Sequence, residues 1–443
     1  MKPGLRYGLI ALFFLAFFSA APFIVSFVTG IKYDFKTRQF VRTGSIYAKT
    51  DPKKAQIFLN SKLAGTTPAT LRFLSPGDYA IKIHKDGYFD WDKTLNVRAQ
   101  YVTYANQNLN NIVLFLNHPA ADLIHGGVQD FSSGRKRILY LTDSALHLAD
   151  LSSAHREQTL SLPKNFSDLK IIPAQDENYY LLYDDSFAAV FDARNNRLFD
   201  ISARISSLSS AGAATNGPDF QFSTNDDLYF LAKSVLYRID WTQGSAAAVL
   251  NNVLAYRATG GNVYFLRFNP ASQSTELDLS QAFGQSDAQV LIPALPNWSQ
   301  AQIFLNNRSQ LFILADGTFY ALGGSGSLAR IADSITTAQI YDFYGKILLA
   351  SNNEIDLYDF FNGSLTSVTR SSQTVSNPVL LNDLGWVMFI NDSRLQAIEI
   401  DNRDHQNNYT LAPAAANAKF ALDSDLQKVF ILNQGDLEQL TIR

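Results

Sequence analysis

From residue 137 to the C-terminus one unit recurs: a short apolar run, a polar turn, then an alternating strand. It appears at 137–150 (RILYLTDSALHLAD), 179–192, 228–240, 263–278, 311–323, 347–359, 386–401 and 429–442. Six of these hairpins close on an aspartate: Asp150, Asp192, Asp240, Asp278, Asp359 and Asp401. The intervals are 42, 48, 38, 81 and 42 residues, the 81 spanning two units with Gly323 near the skipped place. A period of about 42 residues fits four short strands with their turns, which is one blade of a β-propeller. The first strand of each hairpin is apolar at nearly every position, as a strand buried between neighbouring sheets must be. The second alternates, as a strand nearer the rim should.

The count predicts eight blades, with seven as the alternative. The last unit (AKFALDS, KVFILNQ, LEQLTIR) ends at Arg443 after three strands. Open strand edges invite aggregation, so a fourth strand is expected from elsewhere. Residues 110–117 (NNIVLFLN) supply an apolar strand ahead of the first unit. Ile112–Leu116 is predicted to pair beside Leu437–Ile442, so that 110–117 closes a propeller occupying 110–443.

Residues 7–28 are uncharged for 22 positions, about 33 Å as a helix, which matches a bilayer core. Ser19-Ala20-Ala21 has the small residues of a signal-peptidase site, but Pro22 would follow the cut and the apolar run continues past it. The segment therefore reads as an uncleaved anchor, after a cytoplasmic stub at 1–6 and before a linker at 29–43. Lys2 and Arg6 favour a cytoplasmic N-terminus, while Lys32, Lys36, Arg38 and Arg42 against Asp34 favour the opposite topology.

Between anchor and repeats, residues 44–107 alternate in period two at Ile46/Ala48, Ile57/Leu59, Tyr79/Ile81/Ile83 and Leu95/Val97. Turn residues separate the runs: Asp51-Pro52, Asn60-Ser61, Thr67-Pro68, Ser75-Pro76-Gly77 and Asp86-Gly87. Short strands so spaced predict a small antiparallel sandwich. Pro52-Lys53-Lys54-Ala55, Leu59-Asn60, Gly65, Thr67-Pro68, Leu71, Leu74, Pro76-Gly77, Tyr79 and Gly87-Tyr88 resemble the PEGA domain. Lys53-Lys54 and Ser61 depart from that pattern at surface turns. The resemblance implies an extracytoplasmic, non-catalytic module linked to envelope proteins. That implication, and not charge counting, places the body outside the cytoplasm.

No chemistry-bearing motif emerges. The chain has no cysteine, which removes disulfides, thiolate zinc sites and cysteine nucleophiles. A net charge of −3 gives no electrostatic case for nucleic acid. The six histidines (His84, His118, His125, His147, His155 and His405) lack the spacing of a zinc motif, although His118 and His125 could meet at the ring entrance. Asp184-Asp185, Asp226-Asp227, Asp401-Asn402-Arg403-Asp404 and Asp423-Ser424-Asp425 do not supply a calcium loop and read as hairpin turns. The recurring aspartates read likewise, as acceptors for turn amides. Gly323-Gly324-Ser325-Gly326 is out of frame for a nucleophile elbow. No catalytic, cofactor or metal residue is assigned and no cofactor is expected. The function expected is binding or scaffolding at the bacterial envelope, with a protein or surface glycan as partner. The alternative is an extracytoplasmic glycosidase-like hydrolase with carboxylates at the central channel.

Overall fold

The computed structural model describes residues 8, 10, 12–21, 25, 30–34, 38–107, 111–134, 137–151, 157–166, 168–209, 219–281, 288–323, 326–381, 383–423 and 425–443. Beyond residue 120, these hold eight four-stranded antiparallel sheets. Seven run in chain order: 128–161, 170–200, 219–251, 253–295, 301–332, 337–370 and 375–413. The eighth joins 419–422, 428–433 and 436–441 to a strand from the other end of the repeat region, Ala121–His125.

Each sheet packs on the next through an apolar seam. One cluster joins Leu139, Leu141 and Leu148 of the first sheet to Ile171, Tyr180 and Leu182 of the second. Further clusters link every following pair in turn. Phe131, Ile138 and Tyr140 then meet Phe430, Leu432 and Leu437, so the series of seams returns to its start. The second strands supply most of this surface: Leu311–Ala315 and Trp386–Asn391 are buried at every position, as their unbroken apolar runs foretold. Burying such a Leu, Ile or Phe contributes roughly 1.5–3 kcal/mol. The result is a β-propeller. Several hairpins turn through two left-handed residues (Lys233-Ser234, Asp316-Gly317, Asp392-Ser393 and Gln434-Gly435), the backbone that matches right-handed strand twist.

At four junctions (first with second, third with fourth, fourth with fifth, and eighth with first) the first strands of neighbouring sheets touch, which makes the first strands the innermost of the ring. Polar side chains on them clasp the next sheet's backbone. Asp130 Oδ2 accepts from Ile171 N at 2.9 Å, Gln221 Oε1 from Ala258 N at 3.2 Å, and Asn377 Nδ2 donates to Ala418 O at 2.6 Å. Lys419 Nζ meets Asp130 Oδ1 at 2.7 Å and ties the eighth sheet to the first.

The closing strand corrects the sequence expectation. Ile112–Val113 pairs with Thr50–Asp51 of the small module; the run packs its side chains on the last sheet but does not join it as a strand, and Leu116 N bonds Ile442 O at 2.8 Å. The reason is burial. Ile112, Val113, Leu114 and Phe115 are all 0–2% exposed, which no outermost strand with a solvent face achieves. Ala121–His125 is largely exposed and has the mixed polarity of the other rim strands.

The small module has two sheets: 62–66/56–59/77–84/91–97, and 102–104/44–48/69–74. Ile46, Ile57, Ile81, Ile83, Trp91 and Leu95 form their shared core. Two pairings, Val102–Tyr104 with Gly44–Ala48 and Ile112–Val113 with Thr50–Asp51, are parallel, so the sandwich is not wholly antiparallel as expected. The expected linker also carries structure: Ile31–Asp34 and Gln39–Arg42 form a hairpin.

The expected stub at 1–6 lies outside the described residues, as do 7, 9, 11, 22–24 and 26–28 of the expected anchor. The described part is helical at 12–21, and Leu12, Phe13, Leu15 and Phe18 are 61–70% exposed. Among the described residues no helix is long and apolar enough to cross a membrane.

Candidate binding surface where the module meets the propeller

The module does not stand clear of the ring as a spacer would. It seats on the seventh and eighth sheets, and its core and theirs form one apolar cluster. Phe89 stacks on Tyr409 at 4.8 Å between ring centroids, and Phe115 meets Trp386 edge-on at 5.1 Å.

The polar part of the contact begins with strand 91–97, whose odd positions are buried. Trp91 and Lys93 thereby point the same way, into the loop that follows the third strand of the seventh sheet. Lys93 Nζ spends its three protons on Asp401 O (2.7 Å), His405 O (2.8 Å) and Glu399 Oε2 (3.1 Å), with its side chain fully buried. Glu399 Oε1 accepts from Trp91 Nε1 at 2.9 Å, and its Oε2 from Asn407 Nδ2 at 2.8 Å. Asn407 Nδ2 also reaches Asp92 O at 3.1 Å, and Tyr409 OH donates to Asp90 O at 2.8 Å. Arg403 is held by Asp401 and donates to Tyr104 O and Ala105 O at 3.0 and 2.7 Å. Burial alone would raise the Asp401 carboxyl, but Arg403 and Lys93 hold it below the ordinary carboxylate range. A buried charge is tolerated when it is paired and fully hydrogen-bonded, and this one is.

Beside these contacts lies an open groove of about 530 Å³ with mixed polar and apolar walls, lined by Asp78, Thr94, Leu95, Arg98, Tyr101 and Asp404 among others. Tyr101 is 68% exposed.

The aspartate repeat divides. Asp192, Asp240, Asp359 and Asp401 accept turn amides from Arg194, Thr242, Phe361 and Arg403 at 2.9–3.1 Å, as read from sequence. Asp150 is the last residue of its strand. Asp278 does not: it sits inside strand 274–281, fully buried, 2.5 Å from Arg267 Nε, and burial pushes its carboxyl up to about 6. The longer strands of the fourth sheet move it out of the turn.

Among the histidines, His125 lies not against His118 but 5.2 Å from His147, ring to ring. His147 Nδ1 sits 2.6 Å from Glu157, which also accepts from Tyr140 OH. This cluster is on the rim side of the first sheet. His118 contacts Asn117, His84 contacts Asp90 and His405 contacts Asp404. His155, Gly324, Ser325 and Ser424 lie outside the described residues. Among the described residues no group of His, Asp or Glu is arranged to hold a metal ion.

On the described innermost strands the carboxylates are Asp130 and Asp219. Asp130 is committed to Ile171 N and Lys419. Asp219 opens the first strand of the third sheet, and desolvation pushes its carboxyl up to about 6. Arg257, one sheet along, has a buried Nε with no hydrogen-bond partner among the described residues.

Sequence reasoning passed over Lys93, Glu399 and Asn407. The signal was present: Trp91-x-Lys93-x-Leu95-x-Val97 puts a lysine in the apolar phase of a strand. The receiving segment, Asp401–Asp404, carries the pattern of a hairpin turn and nothing in it marks a partner.

Residues 43–112 match the PEGA domain. No curated protein matches the chain. Among solved structures, a "eukaryotic initiation factor" aligns over 74% of this chain and 91% of its own, with a TM-score of 0.50 and 9% identity. The "Dos1 propeller" aligns over 73% and 95%, with a TM-score of 0.48 and 12% identity. PorZ, described as "an essential bacterial surface component of the type-IX secretion system" of Porphyromonas gingivalis, aligns over 73% of this chain at TM-score 0.44 and 12% identity. The alignment covers 46% of PorZ. At such identity the likeness bears on fold alone; the domain assignment rests on the match over residues 43–112.

Proposed function

We propose that this chain is a non-catalytic, membrane-anchored binding or scaffold protein of the bacterial envelope. Its PEGA-like module and eight-bladed propeller act outside the cytoplasm as one platform for a protein or glycan partner. The observation that carries the reading is the buried Lys93–Glu399 lock, with both charges fully hydrogen-bonded between the two domains. A contact of that kind fixes orientation, because separating the domains would strand a buried charge. A fixed platform next to an apolar 22-residue segment suits presentation at a membrane surface. Protease treatment of intact cells, with mass spectrometry of released propeller peptides, tests the topology. Release from sealed cells supports it, and release only after lysis refutes it. Crosslinking pull-down with the full chain then tests for a partner.

Asp219 favours a second reading, a hydrolase with carboxylates at the channel, since it stands on the first strand of its sheet and its raised pKa suits a general acid. Glycoside turnover by the purified chain, lost in Asp219→Asn, would support that reading. Absence of turnover across α- and β-glycosides would remove it.

A further inference from the structure

We propose that the Ile31–Arg42 hairpin lies in the membrane–water interface, its Tyr33–Phe40 face against lipid and its basic side chains at anionic headgroups. This rests on the anchor reading and adds a second, separable contact to it. The register pairs Ile31 with Arg42 and Tyr33 with Phe40, so these four project from one face of the ribbon. Tyr33 and Phe40 meet edge to face at 5.2 Å, yet Phe40 is 72% and Tyr33 37% exposed. An isolated two-stranded hairpin is marginal in water and gains from an apolar surface on one side.

Chain length says which surface is near. Tyr33 lies five positions after Val28, the last of the apolar run. Those five steps span at most roughly 17 Å when extended, so Tyr33 and its partner Phe40 stay close to the core boundary. At the other end Thr43 N and Oγ1 bond Gly30 O at 2.8 and 2.7 Å, and Arg42 bonds Gln100, which pins the ribbon to the module. Tyrosine with neighbouring Lys or Arg is the composition favoured at headgroup depth. Lys32, Arg38 and Arg42 are exposed here.

The absence of cysteine makes the test clean. In the full chain, Phe40→Cys, Gln39→Cys on the opposite face, Phe14→Cys in the apolar segment and Lys62→Cys on the module are each labelled with a polarity-sensitive dye. The proteins are reconstituted in phosphatidylcholine–phosphatidylglycerol vesicles carrying doxyl-labelled lipid, and folding is checked by circular dichroism. The expected result is a blue shift and loss of most emission at Phe40→Cys, less at Gln39→Cys, and none at Lys62→Cys. Phe14→Cys should be quenched by deep doxyl groups. Quenching at Phe14→Cys with an unquenched Phe40→Cys overturns this inference and leaves the anchor standing. An unquenched Phe14→Cys removes the anchor reading, and this inference with it.

Discussion

The sixth and seventh sheets begin the same turn with the same residue and end with different surfaces. In the sixth, Asp359 caps Phe361 N, pairs with Lys346 at 2.6 Å, and the turn closes within a few residues, leaving Phe361 52% exposed. In the seventh, Asp401 caps Arg403 N, but the loop runs on to Asn407 before the fourth strand starts at Asn408. The extra residues carry Arg403, His405 and Asn407 to the module. A few inserted residues in one repeat thus turn a solvated turn into a docking platform, while the shared aspartate keeps its local task.

The comparison is broken most directly at the lysines. Lys93→Met should destabilise the protein by about 3–5 kcal/mol, because Glu399 stays buried without its cation. Lys346→Met, whose partner pair is partly exposed, should cost less than about 1 kcal/mol. Denaturant unfolding of the two variants measures the gap. Adding Glu399→Gln to Lys93→Met should recover part of the loss, since the amide can still accept from Trp91. Equal effects at the two lysines would erase the distinction drawn here.

Acid sharpens it next. Asp401 and Asp359 both titrate below the ordinary carboxylate range in the folded protein; burial opposes this at both, and Arg403 with Lys93, or Lys346, outweighs it. A depressed folded pKa contributes stability above the unfolded value, about 3.9, that is lost as pH falls through the folded one. Trp91 fluorescence should therefore change as pH drops below about 4, and Asp401→Asn should flatten that change while Asp359→Asn leaves it intact. His84 titrates the opposite way. Asp90 raises it, so its contribution is complete below about 6.5 and fades as pH rises through the higher folded value.

The smallest effect belongs to the exposed side of the comparison. Phe361→Ala removes a half-exposed ring that Arg308 overlies at 4.3 Å, and should shift stability by no more than about 0.5–1 kcal/mol. A loss like that of Lys93→Met would mean that the sixth sheet's turn is also covered by a partner.

Much of the wheel was legible because its physics is local. Unbroken apolar runs such as LFILA and WVMFI, each followed by a polar turn and an alternating strand, read as strands buried on both faces, and their recurrence gives the sheet count. The closing strand was misplaced because apolarity was taken as the mark of a strand in a sheet. Ile112–Phe115 is apolar because it is wedged between two domains, and the rim strand Ala121–His125 is half polar because one side faces water. The lock was missed because contacts like Trp91 to Glu399 span 308 residues. No local pattern encodes such a partner, although a lysine in the apolar phase of strand 91–97 marks where one had to be. Asp278 shows the reverse: the spacing was right, but longer flanking strands carried the residue out of the turn and into a seam.

The central claim is that module and propeller are one body. Spin labels at Lys62→Cys on the module and Ser272→Cys on the fourth sheet, both exposed positions in a chain without native cysteine, report their separation by pulsed electron resonance. A single narrow distance in the full chain, broadened by Lys93→Met, is the result predicted. A broad distribution with Lys93 intact would contradict the account.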